Sequence, residues 1–98
     1  MIRADVIKLV TENPEAHGVF ETAVDTGQEV FAEIRSVTRS EAYAAKSAGL
    51  NPEYVFRLTD YADYNGQRKC TWNDVPYRII RTYVDGQSIE LTVEKEVP

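Results

Sequence analysis

The chain has 98 residues, and its 16 acidic residues outweigh 11 basic ones to give a formal charge of −5. This length predicts one domain, residues 1–98, with a thin core. The acidic balance argues against a protein that grips nucleic-acid phosphates over a broad surface, because that binding depends on Lys and Arg. No apolar run approaches the roughly 18 residues of a membrane span, and the first residues lack the apolar core of a signal peptide, so we expect a cytoplasmic chain.

The first half of the chain contains three predicted strands. DVIKLV (residues 5–10), EVFAEIRSV (29–37) and YVFRL (54–58) are rich in the β-branched and aromatic residues that favour strands. The second and third of these strands are separated by TRSEAYAAKSAG, residues 38–49, which is too long for a hairpin turn.

This insert has a helical pattern. Thr38 followed three residues later by Glu41 fits a capping box, in which the two side chains bind free backbone N–H groups at a helix start. Gly49 is suited to end the helix in the left-handed conformation. We therefore predict one short helical insertion over residues 38–49.

The predicted helix carries little apolar surface. Ala42, Ala45 and Ala48 form a narrow stripe, and only Tyr43 adds bulk. A helix of about ten residues is marginal alone in water, so it needs a partner surface. Two interpretations are open: a crossover helix packed on its own barrel, or a segment that orders only against a neighbouring subunit.

Three more strands are predicted in the second half: RKCTW (residues 68–72), PYRIIRTYV (76–84) and SIELTVEK (88–95). Residues 73–75 are expected to turn the first of these into the second, and Asp85-Gly86 is a strong hairpin signal before the last. The fold class is therefore mainly β: a small antiparallel β-barrel of about six strands with one helical insertion.

The sequence contains no recognisable catalytic pattern. For His17, the single histidine, the sequence contains no nucleophile motif that it could activate as a general base. The five glycines are too scattered for a phosphate-binding loop. Cys70 has no second cysteine or histidine near it and is interpreted as a small, half-buried strand residue, while Glu94 and Glu96 are interpreted as solvated carboxylates. We expect no enzyme activity, no cofactor and no metal site.

Aromatic residues are abundant, with six tyrosines, three phenylalanines and one tryptophan. Tyrosine and tryptophan provide large contact areas and keep one polar atom for a hydrogen bond, which suits interfaces as well as cores. The candidates for a subunit interface are Ala42, Tyr43, Ala45, Tyr61, Tyr64 and Trp72. Each of the aromatic candidates is also a candidate for the core.

Five features follow one another along the chain. They are an aromatic-Ala-x-Ile strand, an insert with Ser, Glu and Ala, a strand with a central arginine, a Tyr-x-Ile hairpin and a closing strand rich in Leu and Glu. In this sequence they are formed by Phe31, Ala32 and Ile34; Ser40, Glu41 and Ala45; Arg57; Tyr77 and Ile79; and residues 89–95.

In this order and spacing, about residues 28–96 resemble the head-tail joining proteins of long-tailed bacteriophages. These are also called head-tail adaptor, head-completion or stopper proteins. The turn NDVP, residues 73–76, departs from the family pattern, which commonly has glycine there. The high strand content favours a stopper over the more helical adaptors.

The resemblance implies a structural virion protein of the phage neck, assembled in the host bacterial cytoplasm. Its subunits would be monomers in isolation and would form a homo-oligomeric ring on a portal or adaptor ring, retain packaged double-stranded DNA and dock tail proteins. In stopper-type members the corresponding insert points into the channel. If the insert of this chain has the same role, the candidates for DNA gating are Thr38, Arg39, Ser40, Glu41 and Lys46.

Two alternatives remain beside the stopper. One is another component of the same neck, a tail terminator or an adaptor. The other belongs to a different class: a small β-barrel that binds single-stranded nucleic acid by stacking bases on Tyr61, Tyr64 and Trp72.

Overall fold

The computed structural model of the chain describes residues 3–11 and 26–96. Within these ranges lie six strands, one α-helix and a short 3-10 helix (Tyr61–Asp63). The main elements are β1 (Arg3–Thr11), β2 (Thr26–Ser36), α1 (Arg39–Ser47), β3 (Pro52–Leu58), β4 (Lys69–Trp72), β5 (Val75–Asp85) and β6 (Ser88–Lys95). All six predicted strands and the predicted helix are confirmed, whereas His17 lies outside the described residues.

The strands close into a barrel in the order β1-β2-β3-β6-β5-β4, and every neighbouring pair is antiparallel. The predicted fold class, a small antiparallel β-barrel with one helical insertion, is confirmed. Each strand therefore has a paired neighbour on both sides over part of its length, but the strands differ in length and β4 has only four residues.

Alternate residues of each strand point into the barrel and form one core. Along β6, for example, Ile89, Leu91 and Val93 are buried and alternate with the half-exposed Glu90 and Thr92, as the predicted alternation requires. Aromatic rings fill the centre: Phe56 meets the rings of Trp72 and Tyr77 edge-to-face, at centroid distances of 5.8 and 5.9 Å. Such edge-to-face pairs are favoured by the ring quadrupoles.

The turn between β4 and β5 consists of two residues, Asn73 and Asp74. Both have a left-handed backbone, with φ of 53° and 62°, and Trp72 pairs with Val75 across the turn. Asn and Asp tolerate this conformation better than most residues, so the turn forms without glycine. The predicted turn over residues 73–75 was therefore one residue too long.

The hairpin between β5 and β6 is confirmed, but its loop is shifted by one residue. Asp85 pairs with Ser88, so the two loop residues are Gly86 and Gln87 rather than Asp85 and Gly86. Gly86 has φ of 62°, and a glycine with positive φ at the first loop position is typical of a type II′ turn.

Candidate interaction surface

The helix α1 has well-formed caps at both ends. Thr38 Oγ1 accepts a hydrogen bond from the Glu41 N–H at 3.2 Å, as the capping box predicts. At the other end Gly49 has φ of 79°, and the Leu50 N–H donates to the Ala45 carbonyl at 2.9 Å. Together with the bond from the Gly49 N–H to the Lys46 carbonyl at 3.0 Å, this is a Schellman motif.

The Glu41 carboxylate contacts Arg35 instead of closing the second half of the capping box. Arg35 Nη1 lies 3.4 Å from Glu41 Oε1, and its Nη2 lies 3.2 Å from Glu90 Oε1. Arg35 belongs to β2 and Glu90 to β6, so one guanidinium joins the first turn of α1 to the outer wall of the barrel.

Val55 identifies the wall that α1 covers. It pairs with Arg35 of β2 and Thr92 of β6, whose side chains point out of the barrel, and it is not part of the interior cluster. Val55 is nevertheless only 1% exposed. Because Glu41 of α1 contacts Arg35 and other α1 residues share a groove with Thr92, the insert lies over this outer wall, which supports the interpretation of a crossover helix on its own barrel.

The packing of α1 is one-sided: none of its residues is fully buried, and its half-buried residues, Glu41, Ala42 and Ala45, lie on one face of the helix. An open groove of about 240 Å³ runs between α1 and the wall formed by β5 and β6. Its lining is mostly apolar, with polar atoms at the rim: Ala44, Ala45, Ala48, Leu50, Pro52, Ile80, Glu41, Arg81 and Thr92. We call this feature the α1 groove.

The candidate gating residues lie along α1 and at its start. Thr38, Arg39, Ser40 and Lys46 are exposed, whereas Glu41 is half-buried in its contact with Arg35. The structure thus brings the first three together at the polar N-terminal end of α1. Of these side chains, Thr38 and Glu41 have structural partners within the subunit.

The candidate interface residues divide into exposed, half-buried and buried groups. Tyr43 is 74% exposed and Tyr61 is 48% exposed, so both are available to a partner. Ala42 and Ala45 are half-buried on the inner flank of α1, and Ala45 also lines the α1 groove.

Tyr64 and Trp72 lie in or beside the core, which favours the core role that the sequence left open for each of them over an interface or base-stacking role. Tyr64 packs against the interior cluster and its hydroxyl donates to the Gln67 carbonyl at 2.8 Å. Trp72 is 8% exposed, and its Nε1–H donates to Asp5 Oδ2 at 2.9 Å. Burial of the indole is favourable because this hydrogen bond satisfies its one donor.

Two exposed apolar features were not predicted from the sequence. Phe31 is 74% exposed and lies opposite Val6 on the outer face of β1 and β2. Tyr83 and Val84 are 56% and 54% exposed near the end of β5. For Phe31 a signal existed, because Ala32 and Ile34 are buried and alternation then turns residue 31 outward.

Glu94 is buried, which corrects its interpretation as a solvated carboxylate. Its Oε2 accepts from the Asn51 N–H at 3.1 Å, and its Oε1 pairs with Arg78. The Asn51 hydrogen bond, followed by Arg78, lowers the pKa of Glu94. Glu94 therefore links the segment after α1 to β6, in a cleft of about 570 Å³ that Glu96 also lines.

Cys70 lies in a strand as predicted but is fully buried rather than half-buried, and this burial determines the state of its thiol. Its side chain is 1% exposed, and burial raises the pKa of the thiol to about 12. The thiol is therefore protonated at neutral pH, as expected for a small core residue rather than a nucleophile.

Across residues 3–11 and 26–96, no group of three or more His, Cys, Asp or Glu side chains is placed to hold a metal ion. None of the helices in this part of the chain has the length and apolar character needed to cross a membrane. No protein-family model matches the chain, and no curated protein gives a match.

Proposed function

We propose that the protein is a structural component of a bacteriophage neck, a stopper whose subunits form a ring that retains packaged DNA and docks the tail. The proposal begins from the resemblance of about residues 28–96 to head-tail joining proteins. A β-barrel with one helical insertion is the fold that this resemblance implies. The observation that carries the proposal is the one-sided packing of α1, with an open apolar groove along one flank.

The α1 groove supports assembly with a neighbouring subunit. Its floor and walls are formed mostly by Ala, Leu, Pro and Ile side chains, and Arg81 and Glu41 lie at its rim. Apolar surface with a polar rim is the usual composition of a protein interface. Filling the groove in a ring would bury the flank of α1 that the barrel leaves open.

The polar end of α1 supports a place near DNA. Thr38, Arg39 and Ser40 are exposed there, and Arg39 offers a cation to a phosphate. The chain as a whole carries a formal charge of −5, which disfavours tight binding of DNA along the ring. Retention in this proposal is therefore steric: the inserts narrow the channel, and they hold the DNA end without gripping its backbone.

The nucleic-acid-binding alternative loses support from the buried indole. Base stacking needs an accessible ring face, but Trp72 is 8% exposed and Tyr64 packs against the core. Of the three proposed stacking residues, only Tyr61 is largely accessible.

Electron microscopy of portal–adaptor particles encoded by the same genome tests the proposed function. Particles mixed with the purified protein should gain one ring of density, and this ring should allow tails to join. If the particles gain no ring and tails do not join, the proposal is wrong.

A pair of lysine substitutions on α1 tests whether the groove makes the contact. Ala44→Lys places a charge in the groove from an exposed position, so the isolated barrel should keep its circular dichroism spectrum while the ring is lost. Ser47→Lys adds the same charge on the same helix outside the groove lining, and it should assemble like the wild type. Equal assembly of both variants would remove the groove from the proposal.

A further inference from the structure

Within residues 3–11 and 26–96, the second half of β5 has a partner strand on one side only. β4 pairs with β5 only over Val75 to Arg78, whereas β6 pairs with it as far as Asp85. The Ile79 N–H still donates to the Arg68 carbonyl at 2.8 Å. Beyond Ile79, no strand in the described ranges pairs with this edge. We call residues 81–85 the β5 edge.

Hairpin geometry identifies the backbone groups that face outward. Asp85 and Ser88 flank a two-residue loop, so they form a hydrogen-bonded pair, and such pairs alternate along an antiparallel ladder. Tyr83 is then hydrogen-bonded to β6, whereas Thr82 and Val84 are not. The N–H and C=O groups of Thr82 and Val84 therefore point away from β6, toward the open edge.

The β5 edge lacks several of the features that protect free strand edges, although a bulge precedes it and Arg81 and Asp85 are charged. Proline, inward-pointing charges and very short strands normally prevent such edges from pairing with another chain. Here the bulge between Ile79 and Arg81 lies just beyond the N-terminal end of β4, and the residues after it continue as a regular strand. Tyr83 and Val84, both more than half exposed, favour β-structure.

We propose that the β5 edge pairs with the β5 edge of a second copy of this chain, antiparallel about a two-fold axis at Tyr83. In this register Thr82 of one copy lies opposite Val84 of the other, so that outward N–H and C=O groups meet on both strands. Arg81 lies opposite Asp85, and each two-fold pairing therefore contains two pairs of opposite charges.

Charge and hydrogen-bond parity together select this register. If the pairing between the two strands shifts by one residue, backbone groups that point toward the partner strand lie opposite groups that point away from it. The hydrogen bonds of the ladder then cannot form. A shift by two residues restores the ladder but places Tyr83 opposite Arg81 or opposite Asp85, and both charge pairs are lost. Arg81, Tyr83 and Asp85 share one face of β5 by alternation, so the cross-strand pairs can form on that face.

The contact is small, since it uses five residues from each copy. Interfaces below about 1,200 Å² in total belong to weak and transient complexes. We therefore expect a concentration-dependent dimer, and the expected monomer in isolation would hold only in dilute solution. This inference does not rest on the proposed neck function, because it concerns the free protein.

Sedimentation velocity of the full chain, from micromolar to millimolar concentration, tests the dimer and its register. Arg81→Asp places acids opposite Asp85 and should raise the dissociation constant by about tenfold or more. Asp85→Arg should do the same with the opposite charge. The double variant Arg81→Asp/Asp85→Arg restores both charge pairs and should recover wild-type association.

A proline substitution tests the backbone contact separately. Val84→Pro removes an outward N–H and leaves the hydrogen bonds to β6 in place, so it should abolish the dimer while circular dichroism shows a folded barrel. Val84→Ala keeps that N–H and is the matched control. A wild-type chain that stays monomeric throughout the range would overturn the inference. So would a dimer that is unaffected by Val84→Pro, or charge variants that the double exchange does not rescue.

Discussion

The carboxylate of Asp5 accepts two hydrogen bonds, one from the Trp72 indole at 2.9 Å and one from the Val6 N–H at 2.8 Å. The indole bond, followed by the Val6 bond, lowers the pKa of Asp5. Asp5 is therefore ionised at neutral pH and offers the buried indole a charged acceptor, which makes a stronger hydrogen bond than a neutral one. This pair fixes the indole at the barrel wall.

Substitutions of Trp72 separate its apolar contribution from its hydrogen bond. Trp72→Ala should lower the free energy of unfolding by about 3 to 5 kcal/mol, because it leaves a cavity beside Phe56 and Tyr54. Trp72→Phe keeps most of the apolar volume and should cost less. Urea unfolding followed by circular dichroism measures both.

Loss of the indole hydrogen bond should have a second measurable effect, which a loss of packing alone would not produce. In Trp72→Phe the pKa of Asp5 should rise toward its ordinary value, as measured by NMR titration of the side-chain carboxyl carbon. An unchanged Asp5 pKa in this variant would contradict the assigned hydrogen bond.

Glu94 predicts a pH dependence of stability with a definite sign. Its pKa is lowered in the folded protein from an ordinary value of 4.5. The stabilisation is therefore present above about pH 4.5 and is lost as the pH falls through the lowered pKa of the folded state. Melting temperatures from pH 6 down to about pH 2.5 should fall less steeply for Glu94→Gln than for the wild type.

The control for this measurement is Glu53→Gln, which removes one negative charge from the same cleft at an exposed position. It should retain more of the acid sensitivity than Glu94→Gln. If both variants flatten the pH profile equally, the effect comes from the net charge of the cleft and not from the hydrogen bonds of Glu94.

At the scale of elements, α1 depends on its C-terminal cap. Gly49 has φ of 79°, and an added Cβ would meet no atom within 4 Å, so backbone strain is the main cost of a substitution. Gly49→Ala should destabilise the protein by about 1 kcal/mol and should speed hydrogen exchange at the amides of Gly49 and Leu50.

Gly66 provides a matched control for this prediction. It has the same φ of 79°, is equally free of contacts within 4 Å, and lies in the loop before β4. Gly66→Ala should therefore show a similar backbone cost without faster exchange at the end of α1. Equal exchange changes in α1 for both variants would indicate general destabilisation.

Local patterns predicted the elements better than their exact turns. The caps of α1 depend on residues a few positions apart, so Thr38 and Gly49 could be assigned from the sequence, whereas the contact of the Glu41 carboxylate with Arg35 could not. The loop of the last hairpin could not be placed within one residue, because its position depends on the pairing of Asp85 with Ser88. The same limit made the turn before β5 one residue too long.

The surface features depend on contacts that are distant in sequence. Whether an aromatic side chain is buried follows from the phase of its strand, and this separates Trp72 from Tyr83. The α1 groove requires the insert to lie against β5 and β6, and the open β5 edge follows from the shortness of β4. For the groove and the edge, no pattern within a single segment contains this information, whereas the outward position of Phe31 could have been predicted from alternation along β2.

For the whole molecule, the two proposed contacts use different parts of the surface. The α1 groove lies between the insert and the outer wall, whereas the β5 edge lies along the strand margin beyond β4. Arg81 contributes to both, since it lines the groove and begins the edge. When a neighbouring subunit fills the groove, a dimer paired through the β5 edge would therefore have to dissociate, unless one Arg81 side chain takes part in both contacts.

The strand order has a consequence for how the chain folds during synthesis. β6 is made after the other five strands, yet it lies between β3 and β5. Until β6 leaves the ribosome, β3 and β5 each lack one neighbour, and Ile89, Leu91 and Val93 are missing from the core. The nascent chain can form the β1–β2 and β4–β5 hairpins early, but it reaches the native state only when the sixth strand enters between strands already made.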